Sequence, residues 1–349
     1  MHYLLFATEL YALPILRPLA AAIAARGGKS AWCVPQQLLD HLRKDESALQ
    51  TASEAYAFAP DVVLVASNWV PDFLPGIKVQ VFHGFNVQKR TNQRGHFRVR
   101  GLFDLYCTQG PATTAPFQAL ARRHQHFAVV ETGWPKLDPL LRQSTHADGF
   151  LPQDGRPVVA YAPTFTQSLT SAPHLYDVIA DAVQSGEMYW LLTAHPKSSP
   201  EVIARYAALA GDNARFVEAD ALMDMLAAAD VLISDTSSVI SEFVVSGKPV
   251  VTFRNRVPQA HMLDIQQPDQ LLPAVRHALQ PTAQLLEEIR RYAEFVHPSR
   301  DGRASERVLA AADALLAGHL GALARKPLNL WRRLQSRVRY RRWRKTGQH

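Results

Sequence analysis

Short, largely apolar runs recur along the chain, and chemically informative residues sit just after several of them. In the first half they are His2–Ala7, Ser30–Val34, Asp61–Ala66, Lys78–Phe82, Asp104–Cys107 and Phe127–Glu131. In the second half they are Val158–Tyr161, Tyr189–Thr193, Ala214–Val217, Val231–Ser234 and Pro249–Phe253. A strand that is apolar throughout is buried on both faces, which points to a parallel sheet covered by helices. Helical patterns fill the gaps: Leu16–Arg26, Gln36–Leu42 and Pro111–Arg123, then Leu175–Gln184, Glu201–Ala210, Leu222–Ala229, Val239–Ser246, Asp269–Gln280, Ala283–Val296 and Ala304–Ala317. The polar segment Ser144–Pro157, rich in Gly and Pro, reads as a linker. The predicted fold is therefore α/β, with two doubly wound Rossmann-like domains over residues 1–145 and 156–318 facing a cleft. In such sheets, ligands bind beyond the carboxyl ends of the strands.

Charge is unevenly placed. The chain carries 38 Lys and Arg against 31 Asp and Glu, a net charge of +7. Ten of the basic residues and none of the acidic ones lie in residues 322–349, so the remainder holds 28 basic against 31 acidic residues. A body with a net charge of −3 argues against a basic nucleic-acid-binding surface. Two cysteines, Cys33 and Cys107, are too few for a disulfide framework or a structural zinc site. The opening MHYLLFATEL lacks a basic n-region and contains Glu9, a poor match to a signal peptide. No segment reaches the roughly 18 uninterrupted apolar residues of a membrane span. A soluble or peripheral protein is expected.

The basic tail has a pattern of its own. Leu328, Trp331, Leu334 or Gln335, and Val338 recur at spacings of three or four, and arginines fill the intervening positions. This predicts an amphipathic interfacial helix over Lys326–Lys345 that binds an anionic membrane surface. A disordered basic tail or a nucleic-acid arm is the other reading of the same charges.

Several strand ends carry residues with chemical potential. His83 and Gly84 follow one apolar run. An imidazole there can take a proton from a hydroxyl, or can simply hydrogen-bond a loop. Thr164, in Tyr161-Ala162-Pro163-Thr164-Phe165, can donate to a phosphate oxygen or close a turn. His195 ends another run, with Pro196 biasing it to extended backbone; charged or neutral, it can stabilise a phosphate. Ser234-Asp235-Thr236-Ser237-Ser238 leads from a buried strand into a helix. That helix start can hold an anion or can be an ordinary cap. Glu242, one turn on, can accept from ribose hydroxyls. Asp235 has no second carboxylate close by and is not a convincing metal ligand. Gly133-Trp134-Pro135-Lys136-Leu137-Asp138 and Asp301-Gly302-Arg303-Ala304-Ser305-Glu306 are weak alone, and Lys136 and Arg303 can be plain surface charges. No G-x-G-x-x-G, Walker A, G-x-S-x-G or H-E-x-x-H motif occurs.

Taken in order, these segments resemble the CDP-glycerol glycerophosphotransferase family, the teichoic-acid primase and polymerase group. Its pattern runs W-H-G-T-P-x-K-K, G-Y-P-R-x-D, Y-A-P-T, H-P, T-D-Y-S-S and D-G-K-x-S-E. The matching stretches here are Phe82-His83-Gly84 with Lys89, Gly133–Asp138, Tyr161–Thr164, His195-Pro196, Ser234–Ser238 and Asp301–Glu306, spanning about residues 78–308. Phe82 stands where the family has Trp, Phe85-Asn86 for T-P, Lys136 for Arg and Thr236 for Tyr.

The resemblance implies a glycosyltransferase-B fold, with an acceptor domain first and a nucleotide-donor domain second. It implies a CDP-activated polyol as donor, with CMP released to a lipid-linked or glycan acceptor in cell-surface polymer synthesis, at the inner face of the cell membrane. It makes His83 the catalytic base, with His195 and Thr236–Ser238 as phosphate binders. Thr164, Asp235, Glu242 and Arg303 are the further donor contacts expected, and Gly84, Lys89 and Lys136 support the site. A polarised helix end can stabilise the departing phosphate unaided, so no cofactor or metal is expected. The alternative is a UDP-sugar-using glycosyltransferase, or a UDP-GlcNAc 2-epimerase-like enzyme of the same fold. Epimerase-like sequences carry S-D-S-G-G and then E-E, where this chain has Ser237-Ser238 and Glu242-Phe243.

Overall fold

All of the apolar runs form strands, displaced at their ends by at most two residues. The computed structural model of the chain describes residues 1–49, 51–85, 97–142, 147–152, 154–328 and 330–346. These residues fall into two units, one of Met1–Asp138 with His297–His349 and one of Pro139–Val296.

The first unit is built on β1 (His2–Phe6), β2 (Lys29–Cys33), β3 (Val62–Val65), β4 (Ile77–Gln80), β5 (Leu105–Thr108) and β6 (Ala128–Glu131). Their order across the sheet is β2-β1-β3-β4-β5-β6, and every pair is parallel. Helices Leu13–Ala25, Pro111–His124 and Ala304–Leu316 belong to this unit. The first of them starts before the expected Leu16. Pro14 sits in its first turn, where no amide hydrogen is needed. Gln36–His41 is a 3₁₀ helix rather than an α-helix. One core cluster joins Leu4, Phe6, Val63, Val65, Tyr106 and Phe117.

The second unit is built on β7 (Val158–Tyr161), β8 (Tyr189–Leu192), β9 (Ala214–Phe216), β10 (Val231–Ser234), β11 (Val250–Phe253) and β12 (Met262–Ile265). The order is β12-β11-β10-β7-β8-β9, again all parallel. Strand β12 is not marked by an apolar run. It is a half-exposed edge strand whose sequence, Met-Leu-Asp-Ile, includes a carboxylate. Val159, Ile179, Trp190, Ile233, Val251 and Val275 lie in its main core.

The domain boundary differs from the expected one. The sequence pattern places residues 297–318 in the second domain, but they pack with the first unit. Asp138, 2% exposed, accepts from the Ala304 and Ser305 amides at 2.8 Å each, and so caps helix Ala304–Leu316. A carboxylate at that end satisfies otherwise orphaned amides and complements the helix dipole. His297 Nε2 accepts from Trp134 N–H at 2.8 Å, and Arg307 Nε donates to the Thr132 carbonyl at 2.7 Å. Gly133, at φ 79°, lets the chain pass close to His297, where a Cβ would sit 2.9 Å from the ring nitrogen. Asp138 and the Asp301–Glu306 motif are therefore two halves of one fastening.

The tail is also not a free arm. A helix spans Leu330–Thr346, beginning later than Lys326. Lys326 itself is bound to Asp104 at 2.6 Å and to the Leu102 carbonyl. Ser336 and Tyr340 are buried, Tyr340 within the first unit's core and edge-on to Phe73. Trp69 Nε1 donates to Ser336 Oγ, and the Arg339 guanidinium lies 4.6 Å from the Trp69 ring centre. Leu328, Leu330, Trp331, Leu334 and Val338 are exposed.

Replacing Asp138 with Ala removes both acceptors from a buried helix end. A loss of about 2 kcal/mol or more is expected, because each bond is charge-assisted. Urea unfolding should shift accordingly, with lost hydrogen-exchange protection at Ala304 and Ser305. Unchanged protection there would show that the cap is not what holds the segment.

Candidate active site

The second sheet reverses its strand order between β7 and β10, which is where open α/β sheets bind ligands. Asp235, at the end of β10, has no exposed surface. Its carboxylate accepts from the Thr164 amide at 3.0 and 3.1 Å, from the Ser171 amide at 2.9 Å and from Ser171 Oγ at 3.0 Å. Burial pushes this carboxyl above its usual range, against the hydrogen bonds that lower it. Asp235 thus works from beneath, fixing the loop that carries Thr164, and is not placed as the donor contact expected from the sequence.

Thr236 and Ser237 are half-buried and Ser238 is exposed. Thr236 Oγ1 accepts from the Arg256 amide at 3.2 Å and Ser237 Oγ from the Val239 amide at 3.4 Å. Each hydroxyl keeps its own hydrogen to donate elsewhere. The following helix, Val239–Val244, has only six residues, so its dipole adds little and the anion affinity expected of a long helix end is reduced. Glu242 is buried at 4% exposure on that helix rather than displayed toward a ribose.

His195 lies just past β8 and is exposed. Its Nδ1 accepts from the Lys197 amide at 3.0 Å, which leaves the hydrogen of the neutral ring on Nε2. Partial burial, then the Lys197 charge, holds its pKa below the ordinary value. Of the two forms considered, the neutral donor is the one this geometry favours. The exposed ring of Phe165 lies against it, with centres 4.3 Å apart.

In the first unit the order reverses between β1 and β3. His83 comes three residues after β4, and its Nδ1 lies 3.3 Å from the carbonyl of Ala66, just beyond β3. A carbonyl can only accept, so Nδ1 carries the hydrogen and Nε2 keeps its lone pair. Burial lowers the pKa of this ring, with a minor contribution from Arg100. Tyr11 tilts against it at 5.4 Å. Phe82 is left-handed at φ 60°, a strained conformation for a bulky side chain, which ends the strand earlier than its apolar run suggests.

The predicted site residues therefore divide. Thr164, Asp235, Thr236, Ser237 and Ser238 come together in the second unit at the ends of β7 and β10, and His195 follows β8 in the same sheet. His83, Gly84 and Lys136 belong to the first, with Lys136 Nζ 5.3 Å from the Trp134 ring centre. Arg303 is exposed at the start of the helix capped by Asp138, in the first unit and not with the other donor candidates. Lys89 and Asn86 lie outside the described residues. Sequence reasoning passed over Gln109, which also follows a strand directly. It passed over Asn255 too, whose amide donates to the Asp235 carbonyl at 2.6 Å.

Residues 30–259 match the family described as CDP-Glycerol:Poly(glycerophosphate) glycerophosphotransferase. No curated protein matches the chain. The wall teichoic acid polymerase TagF is similar in structure, with a TM-score of 0.67 and 15% identity over 92% of this chain and 90% of that one. A putative UDP-N-acetylglucosamine 2-epimerase from Listeria monocytogenes has a TM-score of 0.59 and 14% identity over 94% and 98% of the two chains. The S. aureus MnaA–UDP structure has the same TM-score at 15% identity, over 94% and 100%. These likenesses agree with two parallel six-stranded sheets of the glycosyltransferase-B fold.

Both imidazoles should titrate below the ordinary histidine value of 6.5. Each is then mostly neutral at pH 7, with its half-protonation point at a pH below 6.5. Ring-proton chemical shifts followed against pH, assigned with His83→Gln and His195→Gln, measure this directly. A midpoint at or above 6.5 for either ring would contradict the burial argument.

Proposed function

Because the chain belongs to the CDP-glycerol:poly(glycerophosphate) glycerophosphotransferase family, we propose that it moves glycerol phosphate from CDP-glycerol to a hydroxyl of a lipid-linked or glycan acceptor and releases CMP. The observation that carries the mechanism is the Nδ1–Ala66 contact, which leaves His83 Nε2 as a free base at a strand end. His83 takes the proton of the acceptor hydroxyl as its oxygen attacks the phosphorus that bears glycerol. The bond from that phosphorus to the CMP oxygen breaks in line, and the proton passes from His83 to water. His195 Nε2–H and the hydroxyls of Thr164, Thr236, Ser237 and Ser238 donate to the pyrophosphate oxygens, which gain charge as CMP leaves. One of the TagF polymerase structures is of a histidine variant with CDPG, which supports the choice of donor. The reaction as proposed needs no metal.

Acceptor-dependent CMP release from CDP-glycerol tests this reading. His83→Gln should lower turnover by roughly 10²–10⁴ with donor binding largely kept. Activity should persist in excess chelator. Near-normal turnover of His83→Gln removes it as the base, dependence on added Mg²⁺ overturns the metal-free form, and conversion of UDP-GlcNAc instead of CDP-glycerol supports the epimerase alternative.

We propose the cytoplasmic face of the cell membrane as the protein's place; the tail supports attachment to a membrane surface. Among the described residues no helix is long and apolar enough to cross a bilayer. On a helix of 3.6 residues per turn, Trp331, Leu334 and Val338 fall on the side opposite the buried Ser336 and Tyr340. One face thus anchors the helix to the first unit, and the other offers apolar side chains to a lipid surface while its arginines meet anionic headgroups. Flotation with anionic vesicles should recover the full chain, and Trp331→Glu with Leu334→Glu should abolish recovery without unfolding the protein. Equal recovery with neutral vesicles, or no effect of the double substitution, would refute membrane binding by this face.

A further inference from the structure

The turn that carries His83 is strained at Phe82, so something must hold it. The two carbonyls on either side of His83 each meet one buried side-chain N–H. Gln109 Nε2 donates to the Gly84 carbonyl at 3.1 Å, and Trp134 Nε1 approaches the Phe82 carbonyl at 3.4 Å. Gln109 follows β5 and has no exposed surface; Trp134 follows β6 and is 1% exposed. Phe85, on the far side of the turn, packs edge-on against the Trp134 ring, with centres 5.1 Å apart. We infer that Gln109, together with Trp134, is a positioning residue that clamps the backbone on both sides of His83 and so aims its imidazole.

This rests on the reading of His83 as the base. The Gln109 amide argues for a role beyond stability. Its Nε2 has the Gly84 carbonyl, but its Oε1 is buried without a partner among the described residues. An orphaned buried acceptor is unfavourable, and in its observed orientation the amide gains one hydrogen bond while leaving another unmade. An apolar side chain of the same length would remove the orphaned Oε1 but orphan the buried Gly84 carbonyl in its place, so the two changes largely offset each other in stability. What it would not do is hold the Gly84 carbonyl. Small displacements of a catalytic group weaken catalysis far more than they weaken binding.

The test uses the full-length enzyme and CMP release from CDP-glycerol. Gln109→Met is expected to lower kcat about ten- to a hundredfold, with the KM for CDP-glycerol changed less than about threefold and the melting temperature close to that of the parent. Trp134→Phe, which loses the N–H together with the five-membered ring of a buried indole, should act in the same direction at some cost in stability and serves if Gln109→Met does not fold. The double variant His83→Gln/Gln109→Met should be no slower than His83→Gln alone, since positioning acts only through His83. A wild-type kcat in Gln109→Met and Trp134→Phe, a change confined to KM, or a further loss in the double variant would each overturn the inference. If His83→Gln itself is fully active, it is the reading of the base that fails.

Discussion

The bond pair from the Asp138 carboxylate to the Ala304 and Ser305 amides decides what the first unit contains. Without a partner there, helix Ala304–Leu316 would present orphaned amide groups to a buried environment, and the chain leaving the second unit would have no fixed return. With it, Asp138 and Ala304, 166 residues apart in sequence, become one contact. Trp134 then accompanies Asp138 into place, its own amide tied to His297 and its indole against the Phe82 carbonyl. The segment that closes the first unit is thus also part of the support for the His83 turn. Fold and site share a component here.

Where the sequence was readable, burial made it so. Strands enclosed on both faces cannot alternate polar and apolar residues, so the fully buried β3, β5, β7, β10 and β11 stand out as apolar runs. Strand β12 has a half-exposed edge and lacks that signature. The return of residues 297–349 to the first unit was not legible, because it rests on capping and hydrogen bonds between distant residues rather than on a local pattern. The tail shows the same limit on a smaller scale. The spacing of Trp331, Leu334 and Val338 exposes one face, whereas the inner face consists of a serine and a tyrosine, Ser336 and Tyr340, which no hydropathy pattern marks as buried.

At the candidate site, position was legible and role was less so. Strand ends marked His83, His195, Thr164 and the Asp235–Ser238 turn, because in a parallel sheet the carboxyl ends are where polar groups can reach a ligand. The same rule would have marked Gln109. What the rule cannot distinguish is a residue that touches a ligand from one that supports such a residue. Asp235 and Thr236 are neighbours in sequence, yet the Asp235 carboxylate is fully engaged by Thr164 and Ser171, while the Thr236 hydroxyl retains a hydrogen to donate.

The two histidines differ in one backbone contact. They are the same residue type, each follows a parallel strand, and burial lowers both pKa values. Their chemistry is separated by one contact at Nδ1. In His83 that nitrogen faces a carbonyl and must hold the hydrogen, so Nε2 is a base. In His195 it faces an amide N–H and must be bare, so Nε2 is a donor. Protonating His195 would break the Lys197 contact, and protonating His83 would charge a half-buried ring beside Arg100, so each backbone partner and its surroundings favour the neutral ring near pH 7. A base for the attacking hydroxyl and a donor for the departing phosphate are complementary requirements of phosphoryl transfer. In the proposed reaction both would fall to one side-chain type, told apart by the backbone group placed behind each ring.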